Sequence, residues 1–168
     1  MSSTLESSLL ESTSRLAKFL QQKCRALNLK ITLAESCTGG LASAFLTDIE
    51  GSSEVFEQSF VTYSNTAKIV MLDVESSSLS EHGAVSETVA LEMVRGALNK
   101  SGADLGLAIT GIAGPGGAVP DKPVGTVCFA WGDRKDVQSC TELFTGDRAS
   151  VRHSAVNFAF QQLIDVAK

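Results

Sequence analysis

The chain has 168 residues, of which 43% are hydrophobic and 20% charged, a composition typical of a globular protein with one domain. At this length folding buries roughly 70% of the unfolded surface, so a core can form without a disulfide or a metal. A net charge of −5 argues against a general nucleic-acid binder, and no apolar run approaches the roughly 18 residues of a membrane span.

The first half of the chain alternates between helical and extended patterns. An N-terminal helix over residues 1–28 is predicted from apolar residues spaced close to the helical period: Leu5, Leu9, Leu16, Leu20, Cys24 and Leu27. Residues 30–35 then favour a strand and residues 38–47 a helix. Residues 56–63 favour a second strand, followed by a short helix over 64–72. The polar segment 75–83 is interpreted as a connector.

The second half adds one long helix, three strands and a final helix. Ser86 is a plausible N-cap for a helix that runs to about residue 100. A strand over 104–110 leads into a glycine-rich segment, 111–123. Strands over 124–131 and 136–145 are separated only by "GDRK" and should pair as an antiparallel hairpin. We therefore expect an α/β fold: a single-domain α/β/α sandwich with a mixed sheet.

The last helix is expected to begin after Gly146 and Asp147. Its inward-facing residues should be Val151, Ala155, Phe158 and Leu163.

The stretch "AESCTGG", residues 34–40, places two potential nucleophiles at a strand-to-helix turn. N–H groups near a helix start can stabilise an oxyanion, and Gly39 and Gly40 would let a substrate approach the backbone. The alternative is structural, with Ser36 or Thr38 simply capping the helix. The segment alone does not decide between them.

A nucleophilic Ser36 needs a base. Neither His82 nor His153 has a sequence context typical of a Ser-His-Asp triad. The other candidate is Lys68 in "TYSNTAK", where burial early in a helix would favour the neutral amine. The alternative is a solvated helix lysine.

Two further segments suggest anion binding. The loop "TGIAGPGG", 110–117, could present N–H groups to a phosphate, although it lacks the lysine and hydroxyl residue of a P-loop. Arg148 lies at the start of the last helix, where the helix dipole disfavours a cation. It could bind a phosphate or carboxylate, or pair with Asp147 or another nearby acid.

The four cysteines form no CxxC pair, and with two histidines the spacing of a zinc site is absent. Cys128 lies in an apolar run, where a reduced core cysteine is expected. A reducing cytoplasm is therefore the simplest setting.

Taken in order, six segments resemble the CinA C-terminal domain family: "LAESCTGG", "VTYSNTAK", "HGAVSE", "TGIAGPGG", "KPVGTV" and "GDRASVR". The resemblance spans about residues 10 to 165. The partner domain of longer CinA proteins is missing from the sequence, so the resemblance is to the stand-alone form, the nicotinamide mononucleotide deamidases of the PncC type.

The resemblance implies a metal-independent amidase without a cofactor. It implies Ser36 as nucleophile, Lys68 as base and Tyr63 as a residue that orients the pair or relays protons. It further implies that a mononucleotide substrate is held by a larger set of residues: Thr38, Gly39, Gly40, Thr110, Gly111 and Arg148.

The resemblance also implies a homo-oligomer, a dimer or higher. No nucleic-acid or membrane partner is expected. The alternative function is a catalytically inactive nucleotide-binding or competence-associated regulatory paralogue that retains the motifs.

Overall fold

The computed structural model describes the backbone of residues 2–168 and the side chains from residue 7 onward. The side chain of Leu5, assigned by the sequence pattern to the apolar stripe of the first helix, lies outside the described residues.

The described residues form six α-helices and five strands, together with a short 3₁₀ turn at Ser52–Glu54. In chain order these are α1 (Ser2–Leu27), β1 (Ile31–Glu35), α2 (Leu41–Thr47), β2 (Phe56–Val61), α3 (Asn65–Leu72), α4 (Ser76–His82), α5 (Glu87–Ser101), β3 (Leu105–Gly111), β4 (Thr126–Gly132), β5 (Val137–Leu143) and α6 (Arg148–Val166).

The strands form one mixed sheet in the order β2-β1-β3-β4-β5. Strand β1 pairs in parallel with both β2 and β3, whereas β4 is antiparallel to β3 and to β5. The predicted hairpin is thus confirmed. The carboxyl ends of β1, β2 and β3 meet at one edge of the sheet, which brings the segments that follow them together.

Successive side chains of each strand point to opposite faces of the sheet, and the two faces differ in the size of their side chains. Large side chains such as Leu33, Leu107 and Phe129 point toward α1, α2 and α6. The opposite face carries Ala34, Ala108 and other small residues and packs against α3 and α5. The small residues let α5 approach closely, since a Cβ at Gly106 would lie 2.8 Å from atoms of Val94 and Leu98. The α/β/α sandwich is confirmed.

The stripes of the terminal helices are confirmed with one exception. Leu20 and Cys24 of α1 are buried, as are Val151, Ala155 and Leu163 of α6, while half-buried Phe158 packs on Phe129 with ring centroids 4.7 Å apart. Leu27, however, is exposed. The helix ends there, the chain turns at Asn28 in a left-handed conformation, and Leu29 packs on the core instead.

The assignment of 75–83 as a connector was wrong, because this segment contains α4. Its serine-rich sequence carries little helical signal. The start of the helix is held by Glu92 of α5, whose carboxylate accepts hydrogen bonds from the Glu75 N–H and the Ser78 hydroxyl. The prediction for Ser86 was correct, since its hydroxyl accepts from the Val89 N–H at the start of α5.

Helix α2 begins at Leu41, three residues later than expected. Gly39 and Gly40 both adopt positive φ, 58° and 95°, so residues 36–40 form a turn rather than helix. Among the described helices none combines the length and apolar character needed to cross a membrane.

Candidate active site

Ser36 is the first residue after β1, at the carboxyl edge of the sheet. Its N–H donates to the carbonyl of Ile109 in β3 (2.9 Å), and its carbonyl accepts from the Gly39 N–H (3.0 Å). The capping alternative is wrong for both Ser36 and Thr38, because the N-cap of α2 is Gly40 and no side chain caps the helix from that position. The Ser36 hydroxyl is therefore available for another role.

The start of α2 is capped by a residue that the sequence reasoning missed. Glu35 is fully buried, and its carboxylate accepts from the N–H groups of Gly40 (3.0 Å), Ala42 (3.1 Å) and Ser43 (2.9 Å) and from the Ser43 hydroxyl. The sequence signal for this role was a glutamate at the end of an otherwise apolar strand, just before a helix. These N–H groups of the first helical turn are consequently occupied.

Lys68 lies in α3, whose N-cap Ser64 accepts from the Ala67 N–H. The lysine is only 1% exposed, so the alternative of a solvated lysine is wrong. Its Nζ donates to Ser36 Oγ (2.9 Å) and to the carbonyl of Thr62 (2.8 Å). Burial lowers the pKa of Lys68 from its usual 10.5 to about 8. The site thus pairs a hydroxyl with an amine that loses its proton near neutral pH.

The two histidines are placed elsewhere. His82 is half exposed at the end of α4, and His153 packs its ring edge-on against Phe45, with centroids 5.7 Å apart. Lys68 is accordingly the titratable side chain bonded to Ser36.

The pair opens into a cavity of about 250 Å³. Six of the nine predicted site residues line it: Ser36, Tyr63, Lys68, Thr110, Gly111 and Arg148. The other three do not line it. Thr38 turns its carbonyl to Arg152, whose Nη2 donates to it (2.6 Å), and the positive φ of Gly39 and Gly40 shapes the turn. These three residues therefore form the turn beside the cavity rather than its lining.

Arg148 and Tyr63 form one wall of the cavity. Arg148 donates from Nη1 to the carbonyl of Gly114 and from Nη2 to the Tyr63 hydroxyl, both at 2.8 Å. Asp147 instead accepts from the N–H and hydroxyl of Ser150, so the suggested pairing with Arg148 is not formed. Tyr63 is 59% exposed, and its hydroxyl bonds to Arg148 rather than to Ser36 or Lys68. Its proton-relay role stays a prediction.

Thr110 and Gly111 contribute to the shape of the cavity. The Thr110 hydroxyl donates to the carbonyl of Ala84 (2.7 Å) and fixes the segment before α5. A Cβ at Gly111 would lie 2.8 Å from the carbonyl oxygen of Thr126, so close strand packing requires glycine there.

Cys37, beside Ser36, is buried, and its burial raises the thiol pKa to about 11. A thiol of this kind is a poor nucleophile at neutral pH. The turn therefore offers a hydroxyl with a base and a thiol without one.

A second cavity, about 660 Å³, lies at the opposite edge of the sheet near Trp131 and Arg134. It is larger, but its lining contains no hydroxyl hydrogen-bonded to an amine as Ser36 is to Lys68. The candidate active site is therefore the smaller cavity. Among the described residues no group of three or more His, Cys, Asp and Glu side chains is arranged to hold a metal ion.

Comparison with known proteins agrees with this architecture. The family model for the CinA C-terminal domain matches residues 13–167. The chain belongs to the CinA C-terminal domain family. A similar fold is seen in the crystal structure of the competence/damage inducible protein CihA from Agrobacterium tumefaciens. Its TM-score is 0.91 and its identity 41%, with coverage of 94% of this chain and 96% of that one.

Two curated relatives are similar over most of this family domain. Nicotinamide-nucleotide amidohydrolases PncC of Shigella flexneri and of Escherichia coli strain K12 are each 47% identical to the chain over 150 residues. These residues are 89% of this chain and 91% of each relative.

Burial of Lys68 should lower the folding stability of the protein. We expect Lys68→Met to raise the free energy of unfolding at pH 7 by about 1–3 kcal/mol, because the folded wild type must hold a proton whose binding is disfavoured. From pH 8 to 10.5 the unfolded wild type binds this proton more than the folded state does. The wild type therefore gains stability in that range, and the advantage of the variant shrinks.

Urea unfolding at pH 7 and pH 10 checks this expectation, with exposed Lys18→Met as the control. A Lys68→Met protein no more stable than the wild type at pH 7 would contradict a costly buried charge.

Proposed function

We propose that the chain is a nicotinamide-nucleotide amidohydrolase that converts nicotinamide mononucleotide and water to nicotinic acid mononucleotide and ammonia. The observation that carries the proposal is the 2.9 Å hydrogen bond between a buried lysine amine and Ser36 Oγ at a cavity. The curated relatives named as nicotinamide-nucleotide amidohydrolases support the choice of substrate.

In the first half-reaction, neutral Lys68 accepts the proton of Ser36 as Oγ bonds to the carboxamide carbon. The carbonyl electron pair moves to the oxygen, giving a tetrahedral oxyanion. Lys68 returns its proton to the amide nitrogen, the C–N bond breaks and ammonia leaves. The carbonyl of Thr62 holds Nζ in place throughout by its 2.8 Å hydrogen bond.

In the second half-reaction, water attacks the Ser36 ester. Lys68 accepts a proton from that water and passes it to Oγ as the ester C–O bond breaks. Nicotinic acid mononucleotide is released, and the hydroxyl and the neutral amine are regenerated.

The oxyanion requires N–H donors that are not already engaged. Glu35 occupies those of Gly40, Ala42 and Ser43, so the helix start is unsuitable. Among the described residues the N–H groups of Cys37 and Thr38 donate to no other residue, and the Cys37 N–H contacts only its own thiol. We assign the oxyanion to these two groups.

The substrate itself would help the base. With a pKa of about 8, Lys68 is neutral in about a tenth of free molecules at pH 7. The positive pyridinium of the nicotinamide ring beside it would disfavour the ammonium form and increase this fraction. The same charge withdraws electrons from the carboxamide and favours attack.

The phosphate is assigned to Arg148 and to backbone N–H groups of the glycine-rich segment. A guanidinium has five N–H donors, and the two hydrogen bonds to Gly114 and Tyr63 leave others for an anion. Tyr63, bonded to Arg148, would orient it at the mouth of the cavity.

The wider setting follows from the same features. We infer a single-domain enzyme over residues 1–168 that needs no cofactor and binds no nucleic acid. The four cysteines are free, which supports a cytoplasmic setting. Exposed apolar side chains on β2 and α3, Val61, Val70 and Met71 among them, support a homo-oligomer.

Ammonia release from nicotinamide mononucleotide tests the function. We expect the wild type to turn over, and Ser36→Ala and Lys68→Arg to be nearly inactive, since the first lacks the nucleophile and arginine cannot give up its proton. Cys37→Ala should keep most activity, because its thiol is not required.

An active Ser36→Ala protein would refute the serine mechanism. A wild type that binds the mononucleotide without releasing ammonia would instead favour the regulatory paralogue.

Phosphate recognition is tested by comparing two substrates. Arg148→Ala should lower kcat/KM for the mononucleotide by about 10- to 150-fold, the equivalent of a charge-assisted hydrogen bond of about 1.5–3 kcal/mol. For nicotinamide riboside, which lacks the phosphate, the loss should be far smaller. Equal losses on both substrates would mean that Arg148 supports the cavity wall and that the phosphate binds elsewhere.

A further inference from the structure

Glu35 is the most deeply buried acidic side chain near the site, and no role in the proposed reaction uses it. It is the last residue of β1 and is fully buried. In the described part of the chain the ion pairs involve other acids, namely Glu54, Glu81 and Asp73, so Glu35 is not balanced by a basic partner within ion-pair distance. Its burial is instead compensated by hydrogen bonds.

Those hydrogen bonds close a loop around the nucleophile. One oxygen of Glu35 accepts from the N–H groups of Gly40 and Ala42, and the other accepts from the N–H and hydroxyl of Ser43. The end of β1 is thereby tied to the first turn of α2. Residues 36–39, which include Ser36 and the two proposed oxyanion donors, lie between the tied ends.

We propose that Glu35 is a positioning residue that fixes this turn so that Ser36 Oγ meets Lys68 and the N–H groups of Cys37 and Thr38 stay unengaged. This inference rests on the proposed function. Without the carboxylate, the N–H groups at the start of α2 would compete for other acceptors in the turn, including the carbonyl of Ser36. Small displacements of a nucleophile cost large factors in rate.

The two oxygens of a carboxylate are specifically required. Four donors converge on Glu35, and an ionised carboxylate offers acceptor sites on both oxygens. A glutamine presents one acceptor oxygen and one NH₂ group. The NH₂ would face either the N–H groups of Gly40 and Ala42 or that of Ser43, whose hydroxyl can rotate to accept, so at least one backbone N–H loses its acceptor. Glu35→Gln keeps the size of the side chain but removes half of its acceptor capacity.

The chain offers a matched control in Glu92. Its carboxylate also accepts from a backbone N–H and a serine hydroxyl at a helix start, those of Glu75 and Ser78 at α4, on the other side of the sheet. Glu92 is only half-buried and accepts two hydrogen bonds rather than four, so Glu92→Gln should cost less stability than Glu35→Gln and should leave the nucleophile turn untouched. Activities are therefore compared per folded molecule.

The test measures kcat and KM for ammonia release, urea unfolding, and amide hydrogen exchange, in the wild type, Glu35→Gln and Glu92→Gln. We expect Glu35→Gln to lose about 100-fold in kcat per folded molecule while KM changes by less than about 3-fold. Exchange at residues 36–43 should accelerate in Glu35→Gln only. Glu92→Gln should keep the wild-type kcat.

A Glu35→Gln protein whose kcat per folded molecule stays within twofold of the wild type overturns the inference. If Glu35→Gln does not fold, Ser43→Ala removes one of the four hydrogen bonds. It should lower kcat about 3- to 10-fold with KM unchanged, and an unchanged kcat overturns the inference.

Failure of the proposed function is seen separately, as a wild type that releases no ammonia. In that case the exchange data alone decide. Faster exchange at residues 36–43 confined to Glu35→Gln supports the positioning role, and exchange equal to that of Glu92→Gln overturns it.

Discussion

Burial of one lysine against one serine is the constraint on which the rest of the site depends. An amine at the protein surface keeps its proton up to about pH 10 and is not a base at neutral pH. Lys68 extends from α3 into the protein interior near the end of β2. Its hydrogen-bond partners there are Ser36 Oγ and the Thr62 carbonyl. The same burial that lowers its pKa also costs folding stability. The site therefore requires a scaffold firm enough to hold an unfavourable group in place.

The sheet provides that scaffold. Parallel pairing of β1 with β2 and β3 brings the turn after β1 next to the segment that leads into α3. Small residues on one face let α5 lie close, and at Gly96 a Cβ would lie 2.1 Å from the Leu72 carbonyl oxygen, so α3 is pressed against α5. This close contact holds α3, and with it Lys68, against α5, which itself packs on the sheet. On the other side of the pair, Glu35 ties α2 to β1 and so fixes the turn that carries Ser36.

Much of this arrangement could be predicted from the sequence. The strand patterns, the hairpin and the Ser86 cap are local signals and were correct. The pairing of Ser36 with Lys68 was implied by the family resemblance, because 32 residues separate the two side chains and no local pattern links them. Contacts that exist only after folding were missed. Helix α4 depends on Glu92, and the Thr62 partner of Lys68 is a backbone carbonyl with no signature in the sequence.

Site residues at the turn illustrate the same limit. The family resemblance implied that Thr38, Gly39 and Gly40 hold the substrate, and the two glycines beside a nucleophile also suggested backbone approach. In the structure these residues form the turn beside the cavity, and Arg152 from α6, distant in sequence, holds it through the Thr38 carbonyl. Their role in substrate binding stays a prediction, and the Thr38 N–H is one of the two proposed oxyanion donors. Glu35 stood in the same motif, yet its role is visible only when the helix start folds back over it.

The protonation state of Lys68 in the free protein decides whether this amine can act as the base for Ser36. Titration of this side chain by NMR, with ¹³C-labelled lysine and Lys68→Arg for assignment, reports it without any substrate. We expect a pKa of about 8 for Lys68, set by its burial. A pKa near the usual 10.5 would contradict it, because the amine would then be protonated throughout the neutral range and could not accept the proton of Ser36.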